Sequence, residues 1–298
     1  MGKATMIELL ALALTRVQIA AAFGVLIVLL LRLPIRKLFG PRRAYGLWAI
    51  VPVAAVASVF PSRAETLQIG AAAAPLALGL ALTVLAVWLA GAAAFAGFML
   101  LQERAFRRRA DRGEVGPAVM GALWPRLILP ADFETRFSTR ERDLILLHER
   151  THIHRGDPMA NLAIAGCRVL GWCNPMIHIG AAFARIDQEL ACDATVLALK
   201  DNIRGDYAKA LLKVSTSGGL ASPLACGWGT HPLVLRVGFL GRIEPSVRRQ
   251  VAGFLFLTAL AVATFLGVWS LAPRGFDPQA MAPDAILSDQ FAPVWALP

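Results

Sequence analysis

Only five histidines occur in 298 residues, yet two of them, His148 and His152, stand four apart in the pentapeptide HERTH. On a helix, residues at that spacing differ by about 40° and one turn, so both rings can offer a nitrogen to a single ion. Two neutral imidazoles suit Zn2+. Glu149, about 100° round the same helix, lies beside such an ion, where it can take a proton from a water molecule. A catalytic zinc takes three protein ligands and keeps one position open. The stretch DQELACD, Asp187 to Asp193, supplies candidates: Glu189 and Asp193 lie one turn apart on one helix face. Glu189 can close a His2Glu set, and Asp193 can accept the Nδ1 proton of a ligand histidine and hold its ring. His154 points about 200° away from His152 and reads as a solvated or interfacial side chain.

The flanking sequence supplies the helices this chemistry needs. Ser138 and Glu141 form a capping box, so a helix starts at Thr139 and runs until Gly156 and Pro158 stop it. A second, mostly apolar helix, MANLAIAGCRVLGWCNP, breaks at Asn174 and Pro175, and a third from about Pro175 to Leu199 carries DQELACD. The two apolar helices either form the core or lie against a membrane. Upstream, AVMGA and RLILP read as short strands bounded by prolines, which suits edge strands that can pair with an extended peptide, or an ordinary hairpin. The cysteines Cys167, Cys173, Cys192 and Cys226 form no CxxC pair and read as small buried hydrophobes.

At 57% hydrophobic and 17% charged residues, with a mean hydropathy of +0.58, the chain reads as a membrane protein. Val17–Leu31, with a start as early as Met6, Ala44–Phe60, Leu76–Leu101 and Val251–Leu271 approach the roughly 20 apolar residues that a spanning helix needs. Pro52 should kink the second, and Ala93 with Gly97 suggests close helix packing in the third. A cleaved signal peptide is disfavoured, because Glu8 sits where basic residues belong and RLPIRK where a small-residue cleavage site belongs. Arginines cluster in RLPIRKLFGPRR and RAFRRRADR, while the opposite loops carry few, so both clusters face the cytoplasm and both termini lie outside. The net charge of +10 is largely this topology signal, and no direct nucleic-acid binding is expected. The division that follows is a three-span membrane region at 1–101, a cytoplasmic domain at 102–250, a fourth span at 251–273 and a short outer tail at 274–298.

HERTH followed by ELACD between transmembrane spans, with RLILP before the first helix, HRGDP after it and WCNP between the later two, resembles peptidase family M56. These are the membrane metallopeptidases of the BlaR/MecR sensor-transducer type. The resemblance implies a mainly α membrane protein, with four transmembrane helices and a cytoplasmic gluzincin-like zinc metallopeptidase domain of helices plus a small β-hairpin between spans 3 and 4. It implies that His148, His152 and Glu189 bind zinc, that Glu149 is the general base and that Asp193 supports a ligand ring. THPLVLR is similar to the histidine-proline segment of Ste24/HtpX-type gluzincins, which would place His231, and less directly Arg236, near a developing oxyanion; a turn histidine before Pro232 is the plainer alternative.

The implied location is a bacterial-type inner membrane. The implied substrate is a cytoplasmic repressor of the BlaI/MecI kind, the enzyme's own loop or another membrane-proximal protein, and a homodimer stays open. The chain departs from the family's receptors in having no S-x-x-K motif and about 25 residues after its last span, so a β-lactam receptor role is not expected of it. Two rivals remain. A site-2-type intramembrane protease would put HExxH inside a span, but Arg140, Glu141, Arg142, Asp143, Arg150 and Arg155 crowd the motif. A non-catalytic signalling or scaffold protein would use the metal structurally, with Cys192 as a fourth ligand.

Overall fold

The computed structural model describes residues 3–67, 77–200, 202–215, 224, 226–227, 233–242 and 245–271. The chain is mainly helical. The first helix, α1 (Lys3–Phe39), is apolar over most of its length and continues through RLPIRK, with Pro34 inside it. It stops at Gly40, whose φ of +89° suits a residue without Cβ. A proline at the first helical position then opens α2 (Pro41–Gly46).

The stretch anticipated as the second span is a segmented helical run. It comprises α2, a 3-10 turn at Leu47–Ala49 and α3 (Ile50–Ala57). Pro52 accounts for the tightened turn: it has no N–H to give to the Trp48 carbonyl, and its ring crowds that oxygen, so the preceding turn departs from α geometry. Gly24 of α1 lets this run pack closely, since a Cβ there would lie 3.2 Å from the Val51 Cα.

A short α4 (Arg63–Thr66) follows, and then α5 (Leu78–Asp111), which carries on well past Leu101 through the basic run. Among the described residues, three helices are long and apolar enough to cross a membrane: Met6–Phe39, Leu78–Asp111 and α12 (Val247–Leu271). The close approach on α5 occurs at Gly91, where a Cβ would meet the Trp172 ring; nothing lies within 4 Å of the corresponding position at Gly97. The expected close approach at Ala93/Gly97 is therefore found instead at Gly91, nearer the α5 N-terminus.

Between α5 and α12, β1 (Ala118–Met120), β2 (Arg126–Ile128) and β3 (Cys226–Gly227) form one antiparallel sheet in the order β2-β1-β3. Ala118 pairs with Ile128 on one side and with Gly227 on the other. The strand in AVMGA is thus central and not an edge; the short β3, distant in sequence, covers it, and among the described residues β2 in RLILP pairs on one side only.

Next come α6 (Phe133–Arg136), α7 (Thr139–His154), α8 (Asp157–Leu170), α9 (Pro175–Leu199), α10 (Arg204–Ser215) and α11 (Leu233–Leu240). The capping box at Ser138 and Glu141 forms as the sequence demands, and Gly156 ends α7 with φ +73°. A core of Leu144 and Ile145 from α7, Val196 from α9, Tyr207 and Leu211 from α10 and Leu240 from α11 joins these helices. Cys192 is buried as expected, but Cys167 and Cys173 are exposed, which corrects the reading of the cysteines as uniformly interior. Both lie in the α8–α9 hairpin, whose outer surface is apolar.

Candidate metal centre

The α7 face that turns inward carries the motif. His148, Glu149 and His152 are wholly inaccessible to solvent, and Glu189 of α9 is 1% exposed. His154 is exposed on the opposite side, as its helical angle requires. The Nε2 atoms of His148 and His152 lie 3.0 Å apart. The Glu189 carboxylate closes the group, with one oxygen 3.5 Å from His148 Nε2 and the other 3.6 Å from His152 Nε2.

The outer nitrogens fix which atoms carry protons. His152 Nδ1 lies 2.7 Å from Asp157 Oδ2; a carboxylate accepts only, so Nδ1 donates and, in the neutral ring, Nε2 presents a lone pair. Tyr207 donates its hydroxyl proton to Asp193 Oδ1 at 2.7 Å, which leaves its oxygen to accept from His148 Nδ1, also at 2.7 Å. His148 Nε2 is then also a bare lone pair. Burial pushes the His148 imidazole down to about 4, and the nearby Glu189 carboxylate only partly opposes this, so the ring is neutral at physiological pH.

With both rings neutral, three donor atoms without protons converge in a space closed to water. Their separations of 3.0, 3.5 and 3.6 Å bracket the edge of about 3.3 Å expected for a tetrahedron with its corners about 2.05 Å from a zinc ion. The donor set fits a divalent cation.

Cys192 is the other nearby donor. His148, His152 and Cys192 each offer an atom within 4.8 Å of the others. Its thiol faces the His148 carbonyl at 3.6 Å, and burial pushes it up to about 11, so without a metal it stays protonated at neutral pH. Glu189, held as an anion by a neighbouring guanidinium, is the better third donor.

That guanidinium belongs to Arg236 on α11, 1% exposed. It gives two bonds to Asp193, at 2.8 and 2.7 Å, and lies 3.2 Å from Glu189. Asp193 thus supports His148 through the interposed Tyr207, its own oxygen being 3.4 Å from Nδ1. Arg236 is committed to these two carboxylates; His231 lies outside the described residues.

Sequence reasoning gave no role to Asp157 or Tyr207. The first stands in HRGDP, placed by the left-handed Gly156 that turns the chain back beneath His152. The second is one of two tyrosines in the chain, a scarce signal that gives no partner without the fold.

A further network fixes α9 against α1. Asp187, wholly buried, accepts two bonds from Arg32 at 2.9 and 3.0 Å, one from Arg36 at 3.3 Å and one from the Trp48 indole at 2.9 Å. Gln188 next to it donates to the Tyr45 hydroxyl at 2.9 Å. The helix that presents Glu189 is thereby clamped to the charged end of the first span.

The family model described as BlaR1 peptidase M56 matches residues 12–81 and 112–240, well over half of the chain. The regulatory protein BlaR1 of Bacillus licheniformis is 31% identical over 101 residues, covering 34% of this chain and 17% of the relative. The methicillin resistance mecR1 protein of Staphylococcus aureus is 28% identical over 102 residues, covering 33% of this chain and 17% of its own length. A mecR1 protein of Staphylococcus epidermidis matches to the same extent. The matched stretch is thus about a sixth of the length of these relatives. With the candidate spans, these matches describe a multi-pass bacterial membrane protein. The chain belongs to the M56 peptidase family.

Proposed function

We propose that the chain is an integral-membrane zinc-dependent endopeptidase that acts on the cytoplasmic side in signal transduction. The observation that carries this reading is the convergence of His148 Nε2, His152 Nε2 and the Glu189 carboxylate as three proton-free donors inside the fold. Zinc held there would polarise a peptide carbonyl and make a water molecule more acidic. Glu149, on the turn that carries both histidines, accepts the proton from that water and passes it to the leaving amine. Asp157 and Tyr207 keep both rings in the tautomer that binds metal, and Arg236 favours the ionised form of Glu189 while bonding to Asp193. Asp193 acts through Tyr207. His231 remains a candidate oxyanion donor.

In this reading the chain crosses the membrane four times, the run from Pro41 to Ala57 serving as a segmented second span. Both termini lie outside. The divisions 1–101, 102–250, 251–273 and 274–298 correspond to membrane region, protease domain, last span and tail. The substrate is a cytoplasmic repressor of the BlaI/MecI kind or the chain itself, and an extended segment of it pairs with the open edge of β2.

The test compares fragments of cytoplasmic and membrane proteins in cells carrying the wild-type chain or Glu149→Gln. The account expects zinc to be retained and cleavage lost in the variant. Cleavage at the wild-type rate by Glu149→Gln would overturn it.

A further inference from the structure

We propose that the α8–α9 hairpin is a re-entrant element: it enters the bilayer from the side on which Arg32 lies, turns beyond the midplane and packs its outer face against lipid acyl chains. This inference rests on the spans and the hairpin's own surface, and is independent of the metal reading.

The hairpin tip is bonded to two apolar helices at corresponding depths. Gln18 of α1 donates to the Leu170 carbonyl at 2.8 Å, and Asn174 donates back to the Gln18 carbonyl at 3.0 Å and to its side-chain oxygen at 3.2 Å. The Trp88 indole of α5 donates to the same Leu170 carbonyl at 3.0 Å, and the Trp172 indole returns a bond to the Trp88 carbonyl at 3.1 Å. His178 lies 3.0 Å from the Trp172 carbonyl. Side chains of the spans thus satisfy backbone groups that the break between α8 and α9 frees, which non-helical backbone at membrane depth requires.

Three helices give consistent depths. At 1.5 Å per residue, Gln18 lies about 21 Å along α1 from Arg32, Trp88 about 24 Å along α5 from Arg104, and Asn174 about 20 Å along α9 from Asp187. Arg32 and Asp187 are bonded to each other, so two of these measures share an origin. A hydrocarbon core of about 30 Å puts the tip past its middle.

The hairpin's surface chemistry agrees. Every exposed residue from Met159 to Ala182 is apolar or cysteine, including Leu162, Cys167, Leu170, Cys173 and Ile179. A soluble domain rarely leaves so continuous an apolar face in water. The polar groups turn inward: Arg168 lies 5.5 Å over the Phe95 ring and donates toward His178, while Asn161 is buried. The charged half of α9, from Arg185 onward, then emerges at the level of Arg32, which puts Glu189 at the membrane boundary.

The wild-type full chain, reconstituted in phosphatidylcholine vesicles, tests this with two photoreactive lipids. One carries a diazirine near the acyl carbonyl and the other at the chain terminus; labelled positions are mapped by mass spectrometry. The proposal expects the deep probe to label Leu170–Ile179 as strongly as Leu89 and Phe98 of α5, and at least about ten-fold above α10. In parallel, Cys173 should resist oxidation by hydroxyl radicals made in the water. Labelling by the shallow probe alone would mean a hairpin lying flat on the surface and would overturn the proposal. Oxidation of Cys173 without lipid labelling would overturn it in favour of water exposure. Absence of both would overturn it in favour of a covering protein or second copy.

Discussion

Replacing Tyr207 by phenylalanine removes one oxygen from the interior and keeps the ring that packs against Leu144 and Leu211. The hydroxyl makes two bonds of 2.7 Å, one from His148 Nδ1 and one to Asp193. Asp193 keeps both bonds from Arg236, so the loss falls on the histidine, whose buried Nδ1 proton keeps only a 3.4 Å approach to Asp193, too long for a good bond. An unsatisfied buried donor costs about 1–3 kcal/mol. The ring can avoid that cost by moving its proton to Nε2, which takes away the lone pair aimed at Glu189 and His152. Loss of a partner that orients a ligand histidine weakens metal binding by about 10–100-fold, equivalent to about 1.4–2.7 kcal/mol, and the two figures agree. Competition for zinc against a chromophoric chelator on the purified protein measures the effect, and thermal unfolding without zinc measures the folding cost separately. Zinc affinity in Tyr207→Phe within about two-fold of wild type would refute the reasoning that Tyr207 sets the tautomer.

Two further outcomes follow from the buried charges. Asp187→Ala leaves Arg32 and Arg36 facing each other beneath α9 and should destabilise the fold by about 3–5 kcal/mol; a thermal midpoint equal to wild type would show the clamp to be dispensable. In zinc-free protein, His148 takes a proton in the unfolded chain near pH 6.5 but only near pH 4 when folded. Folding stability should therefore fall by about 3 kcal/mol as pH drops through that window and then level off, with the slope absent in His148→Gln; a flat profile in wild type would contradict the buried, neutral ring.

The site was legible wherever it depends on local periodicity. The capping box placed α7, Asn174 and Pro175 placed α9, and four-residue spacing put His148 with His152 and Glu189 with Asp193 on common faces. Contacts across distant elements were not legible: Tyr207 and Asp157 have ordinary sequence surroundings, and their roles arise only when α10 packs on α7 and Gly156 reverses the chain. β3 is two residues long and carries no pattern of its own, so the central position of β1 could not be anticipated. Apolar content revealed α8 and α9 but not their placement, because lipid and a protein core favour the same side chains; the bonds from Gln18 and Trp88, which set the hairpin tip against α1 and α5, carry no sequence pattern.

X-ray absorption at the zinc edge, on the purified wild-type chain loaded with one equivalent of zinc, tests the central claim most directly. The account predicts a shell of nitrogen and oxygen only, at about 2.0–2.1 Å, with two imidazoles in it and one light atom fewer in Glu189→Gln. A sulfur neighbour at about 2.3 Å would assign the third position to Cys192 and contradict the His148, His152 and Glu189 centre.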